Sequence, residues 1–271
     1  MPPLPPQQIK SGDAEIVYRV LGEGPPVVLL HPFPVNHEFW LPAADALSTR
    51  YRVILPDLRA HGDSEAGDGP VTMEKLASDL SRVMDDAGVG RAPLVGVSIG
   101  GYLLFEFWRK QRGRVAALAL CNTKATIDSP EARAGRLKAA ADVLERGTEP
   151  FFESMVPRVF AKNTREMRPD LVEGALRMMR KMSPQDVAQV QRGMAERPDS
   201  VETLKTINVP TLLVTGDEDT STGVNEAELM RQHIPRSEMR VIAKASHYSP
   251  WEQSEHAAKL LRQFLDGVEH F

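Results

Sequence analysis

Nothing in this chain restricts its architecture as tightly as the run Leu94-Val95-Gly96-Val97-Ser98-Ile99-Gly100-Gly101. Apolar residues end in a serine, with glycine two places before it and two places after, and an amphipathic segment begins at Tyr102. The run reads as strand, very sharp turn, helix. A serine at such a turn is held in strained backbone geometry, and a Cβ at either flank would crowd it. The turn lifts the Ser98 hydroxyl out of the sheet, and the new helix aims its free N–H groups at whatever the serine attacks. This is the G-x-S-x-G nucleophile elbow. Five residues alone also fit an ordinary glycine-serine turn, so the meaning of Ser98 rests on what the rest of the chain supplies.

The flanking sequence supplies an alternating order. Ala14–Val20 alternates as a strand. Val27–Leu30, Arg52–Leu55 and Val115–Cys121 are short apolar runs, as strands buried on both faces require. Helical spacing fills the gaps at His37–Leu47, at Met73–Ala87 with Thr72 as its cap, and at 102–112. Strands alternating with helices predict an α/β domain with a mostly parallel sheet. Ligands of such sheets sit at the carboxyl ends of the strands. His31, Asp57, Ser98 and Asn122 all fall just past strand ends.

From Asn122 to about Lys205 the alternation stops and helical stretches follow one another, near 130–146, 149–161, 169–182 and 184–196. This block is simplest as an insertion over one edge of the sheet. It is rich in Met and Phe, residues that suit a small helical core and also flexible apolar pockets. A layer over a strand-end site supplies its walls, and Phe152, Met155 and Met179, with Trp40 from the earlier helix, are the expected pocket residues. After Pro210 the strands resume at Thr211–Thr215 and Met239–Ile242, with a helix at Val224–His233 and a closing helix to about Gly267.

Composition narrows the function classes. A length of 271 residues suits one large domain or a domain with an insertion. A net charge of −4 without a basic block gives no nucleic-acid footprint. The single cysteine, Cys121, excludes an internal disulfide and a thiolate zinc site, and favours a reducing compartment. The proline-rich start, Met1-Pro2-Pro3-Leu4-Pro5-Pro6, lacks the layout of a signal peptide. No apolar run approaches about 18 residues, so no membrane contact or span is expected, and a cytoplasmic location is.

A serine hydroxyl needs a base within hydrogen-bond reach and an orienter for that base. Of seven histidines, His233, His256 and His270 lie on or near helices and read as surface residues. His37 opens a helix. His31, His61 and His247 follow strands, and the loop after the final strand can carry His247 back over the sheet. Asp217 and Asp219 both follow the strand 211–215. The order serine, aspartate, histidine is that of one particular fold.

Five stretches carry a resemblance to the α/β-hydrolase superfamily, running from about residue 14 to 267. They are His31-Pro32-Phe33-Pro34, the loop Asp57-Leu58-Arg59-Ala60-His61-Gly62-Asp63-Ser64, the elbow at Ser98, Gly216-Asp217-Glu218-Asp219, and Ser246-His247-Tyr248-Ser249-Pro250-Trp251-Glu252. The resemblance implies an eight-stranded, mostly parallel sheet flanked by helices, with an all-helical cap after the sixth strand. The core is then 1–121 and 206–271, and the cap 122–205. In similar sequences the acid is the third residue after the glycine, which selects Asp219. Such enzymes use an N–H from the loop after the first buried strand and one from the residue after the serine. Proline has no N–H, so Phe33 is the one donor among residues 32–34, and Ile99 is its partner in the oxyanion hole. Similar sequences carry glycine at the positions of Pro32 and Ser246.

Within the superfamily, the length, the helical insertion and the stretch from Leu118 to Glu131 resemble the 3-oxoadipate enol-lactonase group and its esterase relatives. The resemblance implies a serine carboxylesterase acting on small esters through Ser98, His247 and Asp219, with enol-lactone hydrolysis as the alternative. The same triad serves carbon–carbon bond hydrolysis and perhydrolysis, and a slow-turnover ligand receptor of this fold would carry the same residues. Neither a cofactor nor a metal is expected. The expected partner is a small-molecule ester or lactone, and the expected assembly a monomer or homodimer. Arg133 and Arg136 are placed to attract a carboxylate-bearing substrate or, as plainly, to face solvent. His31 is expected to brace the oxyanion loop, the Asp57–Ser64 loop to be a hydrogen-bonded support, Cys121 to pack in the core and Trp251 to pack under the His247 loop.

Overall fold

The computed structural model describes residues 4–268. His270, expected on a helix surface, lies outside the described residues. Eight strands form one sheet in the order β1-β2-β4-β3-β5-β6-β7-β8. They are β1 (Gln7–Ser11), β2 (Ala14–Leu21), β3 (Pro26–Leu30), β4 (Arg52–Pro56), β5 (Ala92–Val97), β6 (Val115–Cys121), β7 (Thr211–Gly216) and β8 (Ser237–Ile242). The first two pairings, β1 with β2 and β2 with β4, are antiparallel, and the rest are parallel. The apolar runs occupy the middle of the sheet. Every residue of β5, β6 and β7 is buried, as strands covered by helices on both faces must be.

The first strand, β1, carries no hydrophobic pattern. Its sequence, Gln-Gln-Ile-Lys-Ser, is mostly exposed at the sheet edge. It belongs to the sheet through its backbone, paired with β2 from Gln7↔Tyr18 to Ser11↔Ala14. The expected helix at 37–47 is in fact two elements, a 3₁₀ turn at His37–Trp40 followed by α1 (Leu41–Ser48). Pro42 sits in the first turn of α1, where its missing N–H costs nothing.

The helices that bear on the site are α2 (Met73–Asp86) and α3 (Ile99–Gln111) on the sheet, followed by an unbroken helical run between β6 and β7. That run holds α4 (Pro130–Arg146), α5 (Glu149–Val159), α6 (Lys162–Met167), α7 (Pro169–Met179), α8 (Pro184–Ala195) and α9 (Val201–Leu204). Ser129 caps α4 by accepting the Ala132 N–H, and Ser183 with Asp186 forms a full capping box on α8. Gly193 of α8 lies against the Val71 backbone, where an added Cβ would come within 1.8 Å of the carbonyl oxygen. No side chain larger than hydrogen fits there, so α8 is pressed onto the body of the sheet domain. Three further helices, α10 (Val224–His233), α11 (Ser249–Glu252) and α12 (Ser254–Asp266), complete the chain. Among the described residues no helix is long and apolar enough to cross a membrane.

Strand order reverses at the β3–β5 boundary, since β4 lies beyond β3 on one side and β6 beyond β5 on the other. The loops leaving two parallel neighbours there diverge and open a crevice at their carboxyl ends. The residues after β3 are His31–Phe33 and the residue after β5 is Ser98.

Candidate active site

Ser98 has φ 54° and ψ −112°, a left-handed conformation that costs a non-glycine residue on the order of 1–3 kcal/mol. The surroundings impose it. The Ser98 N–H donates to the Cys121 carbonyl at 3.0 Å, and the Ser98 carbonyl accepts from the Gly101 N–H at 2.9 Å and the Thr123 hydroxyl at 2.8 Å. A Cβ at Gly96 would lie 2.5 Å from the Gly100 carbonyl carbon, and one at Gly101 would lie 2.4 Å from the Thr123 hydroxyl. The glycines therefore let strand, turn and helix close on one another, and the half-buried serine is what protrudes.

Beyond β7 and β8, His247 Nδ1 lies 2.9 Å from Asp219 Oδ2. An ionised carboxylate only accepts, so the imidazole carries its proton on Nδ1, and Nε2 is left with a lone pair. Asp219 is buried and well supplied with donors. Its Oδ1 accepts the N–H groups of Ser221 at 2.8 Å and Thr222 at 3.0 Å. Its Oδ2 accepts from the Thr222 hydroxyl at 2.7 Å and the Asn122 amide at 2.9 Å. Burial pushes this carboxyl up, but the charge and hydrogen bond of His247 and the donors from Asn122 and Thr222 outweigh it, holding the group well below the usual carboxylate range. Asp217 is exposed and bonds the Ala245 N–H at 3.3 Å. Of the two aspartates, Asp219 is the one against His247.

The loop after β3 is braced from three sides. His31 Nε2 accepts the Leu58 N–H at 2.9 Å, which places the His31 proton on Nδ1, donated to the Pro32 carbonyl at 2.9 Å. Burial brings the His31 pKa down to about 3, so the ring is neutral. The Tyr248 hydroxyl donates to the Phe33 carbonyl at 2.9 Å. Among the described residues neither the Phe33 nor the Ile99 N–H donates to another protein group. The Asp57–Ser64 loop is packed with internal bonds. Arg59 makes two bonds to Asp79, at 2.8 and 2.7 Å, and one to Asp13 at 2.6 Å, while Ser64 bonds the Asp57 carbonyl at 2.8 Å. Cys121 is buried, and burial pushes its thiol up to about 12, far from a nucleophile.

Ser98, His247 and Phe33 share the wall of a cavity of about 420 Å³ between the strand ends and the helices α4, α5 and α8. Among the described residues no hydrogen bond joins the Ser98 hydroxyl to His247. The far wall carries Lys124, Arg136 and Asp128. Asp128 is buried and shared by Arg136 at 2.5 Å, Arg197 at 2.7 Å and Lys124 at 3.5 Å. Burial raises this carboxyl, but the guanidinium groups of Arg136 and Arg197 bring it down to about 2. One carboxylate thus faces three cations, and the wall stays positive although the whole chain is negative.

A family model described as the α/β hydrolase fold matches residues 25–254. The chain belongs to the α/β-hydrolase family. It is 27 % identical over 245 residues to 3-oxoadipate enol-lactonase 1 of Acinetobacter baylyi, covering 90 % of each chain. It also resembles a thermophilic esterase from Thermogutta terrifontis, solved with malate bound, with TM-score 0.94 and 37 % identity over 98 % of this chain and 100 % of that one. The enol-lactonase from Burkholderia xenovorans LB400 follows with TM-score 0.90 and 28 % identity over 96 % and 100 %. The resemblance read from the five motifs is to this family and to these esterase and lactonase relatives.

Within this hydrolase the pocket wall differs from the expected one. Met155 lines the cavity, but Trp40, Phe152 and Met179 do not. All three are completely buried elsewhere. Trp40 packs edge-on against Phe39 at 5.4 Å, and Phe152 turns inward while its neighbour Phe151 faces the cavity. Adjacent helical residues point about 100° apart, since a turn takes 3.6 residues, so composition identified the helix and not its face. Arg136 lines the cavity, whereas Arg133 donates to the Ala195 carbonyl at 3.0 Å outside it. Trp251 stacks on Phe39 and donates to the Leu171 carbonyl at 3.1 Å, tying the His247 loop to α7.

Three supports of the hydrolase site have no role assigned by the five stretches, although Glu252 closes the last of them. Asn122 donates to both Asp219 and the Ser246 carbonyl, and accepts the Ser249 hydroxyl at 2.6 Å. Its position after a buried strand was its only signal. Thr222 touches Asp219 and His247 together. Glu252 accepts the N–H groups of Ser246 at 2.7 Å and Ala161 at 2.9 Å, joining the histidine loop to the helical layer.

Proposed function

We propose that this α/β-hydrolase cleaves small carboxylic esters through an acyl-enzyme on Ser98. The observation that carries the reading is that a histidine with its proton held on Nδ1 by a buried aspartate shares a cavity with a strained, protruding serine. His247 Nε2 takes the Ser98 proton as Oγ attacks the carbonyl carbon, and the carbonyl π electrons move onto the oxygen. That oxyanion rests on the N–H groups of Phe33 and Ile99, each worth roughly 3 kcal/mol in the transition state. Collapse expels the alcohol, which takes the proton from His247. Water then attacks the acyl-enzyme with His247 as base, and the acid leaves. Asp219 holds the imidazole and stabilises its cation. Residues 122–205 act as a cap over a core of 1–121 and 206–271.

A second reading, hydrolysis of an enol-lactone or another ester with a distal carboxylate, is favoured by the cationic wall. Lys124 and Arg136 share one carboxylate with Arg197 and keep positive charge to offer. The lactonase relatives and the malate-bound esterase point the same way.

The test is Ser98→Ala. Turnover of p-nitrophenyl acetate should fall by on the order of 10⁶-fold, as loss of the nucleophile does in serine hydrolases. Labelling of the native protein by a fluorophosphonate should disappear with it. A variant that keeps its turnover refutes the assignment, and labelling without steady-state release would instead favour a ligand receptor.

A further inference from the structure

The loop after β8 carries His247 and is fastened to the helical layer on both sides of that residue. The Tyr248 N–H donates to the carbonyl of Val159, the last residue of α5, at 3.0 Å. On the other side the link runs through Glu252, a buried carboxylate that accepts N–H groups from two distant parts of the chain. Its Oε1 takes that of Ser246, the residue before His247, at 2.7 Å. Its Oε2 takes that of Ala161, between α5 and α6, at 2.9 Å. Bonds to an ionised acceptor are roughly twice as strong as neutral ones. The neighbours of His247 on either side are therefore both held from residues 159–161. That same end of α5 is cavity wall, since Met155, Arg158 and Val159 all line the space at Ser98. Among the described residues the Ser98 hydroxyl makes no hydrogen bond to His247, so the ring is aimed from its own loop, from Asp219 and from Thr222.

We infer that Glu252 is a positioning residue for acyl transfer: it ties the loop of His247 to the helical wall that meets substrate, and so sets where the imidazole stands relative to Ser98. This rests on the reading of Ser98 as nucleophile and His247 as base. Glu252 does not line the cavity, so its loss falls on the chemical step and not on substrate binding. A misplacement of about 1 Å between reacting groups can cost on the order of 10²-fold in rate. A carboxylate suits the place because each of its two oxygens can accept, one N–H from the loop and one from the layer.

The experiment measures p-nitrophenyl acetate kinetics in variants that cut the tie from either end. Glu252→Gln keeps the volume but can serve only one of the two N–H groups, because its other terminal group is itself a donor. Its kcat should fall at least tenfold with KM within threefold and the circular dichroism spectrum retained. Ala161→Pro cuts the tie from the layer. Ala161 has φ −58° and follows an extended residue, Phe160 at ψ 138°, so proline suits the backbone while its ring stands where the N–H was. Its kcat should fall at least threefold, again with KM unchanged. The deciding measurement is a double-mutant cycle. In Asp219→Asn the imidazole has already lost its productive tautomer, so adding Glu252→Gln should cost less than threefold. A merely structural role would repeat its full cost there. A smaller loss of kcat in either variant, a loss expressed in KM instead, or a full loss beside Asp219→Asn overturns the role. Should Glu252→Gln fail to fold, Ala161→Pro decides by the same measurements. A wild-type protein that turns over no ester and takes no fluorophosphonate label would refute the Ser98 reading, and this role with it.

Discussion

Two buried aspartate–histidine pairs of nearly the same geometry occur among the described residues. Asp57 Oδ1 lies 2.8 Å from His37 Nδ1, and Asp219 Oδ2 lies 2.9 Å from His247 Nδ1. Both carboxyls are held below the usual range, Asp57 at about 2, by a histidine and by several donors that outweigh burial. The difference lies in what surrounds each ring. Asp57 also accepts from Arg19 at 3.2 Å and from the N–H groups of His37 and Asp63, and Arg19 reaches on to Asp63. Gly62 is pressed against it, with no room for a Cβ. His37 does not line the cavity that holds Ser98, whereas His247 does. A hydrogen-bonded carboxylate and imidazole join two chain segments in either place. Under the proposed function, the cavity that His247 shares with the Ser98 hydroxyl is what would make that pair available for acyl transfer.

The strongest way to break this contrast is to neutralise each aspartate in turn. In Asp219→Asn the carboxamide no longer fixes the proton on Nδ1, and kcat on p-nitrophenyl acetate should fall by on the order of 10⁴-fold. Circular dichroism should confirm that the fold is retained, and a loss below tenfold would remove Asp219 from the chemistry. Asp57→Asn should do the reverse. It takes from Arg19 the buried one of its two carboxylate partners and leaves only the half-exposed Asp63, so the low end of the usual cost of breaking a buried pair, about 3 kcal/mol, applies. Urea unfolding should show that loss, while kcat per fluorophosphonate-titrated site stays within a fewfold of wild type. A rate loss comparable to that of Asp219→Asn would erase the distinction.

Acid should affect the buried support histidines before the proposed catalytic carboxylate. Burial lowers the pKa of His31 to about 3 and of His61 to about 4, against about 6.5 in the unfolded chain. Between those values the unfolded state binds protons that the folded state refuses, so stability rises with pH and is lost as pH falls below about 6.5. From pH 6.5 to 5.5 the loss should be roughly 2 kcal/mol, about 1 kcal/mol for each histidine, because the unfolded ring is half protonated at pH 6.5 and the limiting slope of about 1.4 kcal/mol per unit is reached only below it. The depressed Asp57 and Asp219 contribute stability above their unfolded value of about 3.9, and theirs is lost only below it. Urea midpoints at pH 7, 6 and 5 measure this. A flat profile above pH 5 would show that the two rings titrate freely.

The parts of the molecule legible beforehand are those in which one residue type has one physical use. Ser98 between Gly96 and Gly100 is such a case, because only glycines let the strand, turn and helix close on one another. The buried runs of β3, β5, β6 and β7 are another, since four to six consecutive apolar residues flanked by turns have few homes. Gln7–Ser11 escaped because an edge strand held by backbone bonds needs no apolar face. Trp40, Phe152 and Met179 were misplaced for the converse reason. An aromatic or methionine on a capping helix serves a core and a pocket equally, and only the helix rotation chooses between Phe151 and Phe152. The packing of α4 puts Arg136 in the wall and leaves Arg133 bonded to the Ala195 carbonyl outside it, and spacing alone does not make that choice.

The smallest effect belongs to Thr222, whose hydroxyl lies 2.7 Å from Asp219 Oδ2 and 3.1 Å from His247 Nδ1. The carboxylate can only accept, so the hydroxyl donates to Asp219 and takes a share of the His247 N–H with its lone pair. It thus fixes the carboxylate plane in which the imidazole must lie. Nothing of this kind was written into the spacing, and beside His37 the group that lies against both ring and carboxylate is a guanidinium, that of Arg19, at 3.4 Å from Nδ1 and 3.2 Å from Asp57 Oδ2. Thr222→Val keeps the buried volume and removes the hydroxyl. A hydrogen bond to a charged group is worth about 1.5–3 kcal/mol, but Asp219 keeps its other donors, so the low end applies. About 1.4 kcal/mol in the barrier is a tenfold loss of kcat, with KM unchanged because Thr222 would act through the imidazole and not on substrate. Thr222→Ser restores the hydroxyl and should restore most of the rate. A tenfold loss that serine does not repair would mean that the methyl, as packing, is what matters at this position.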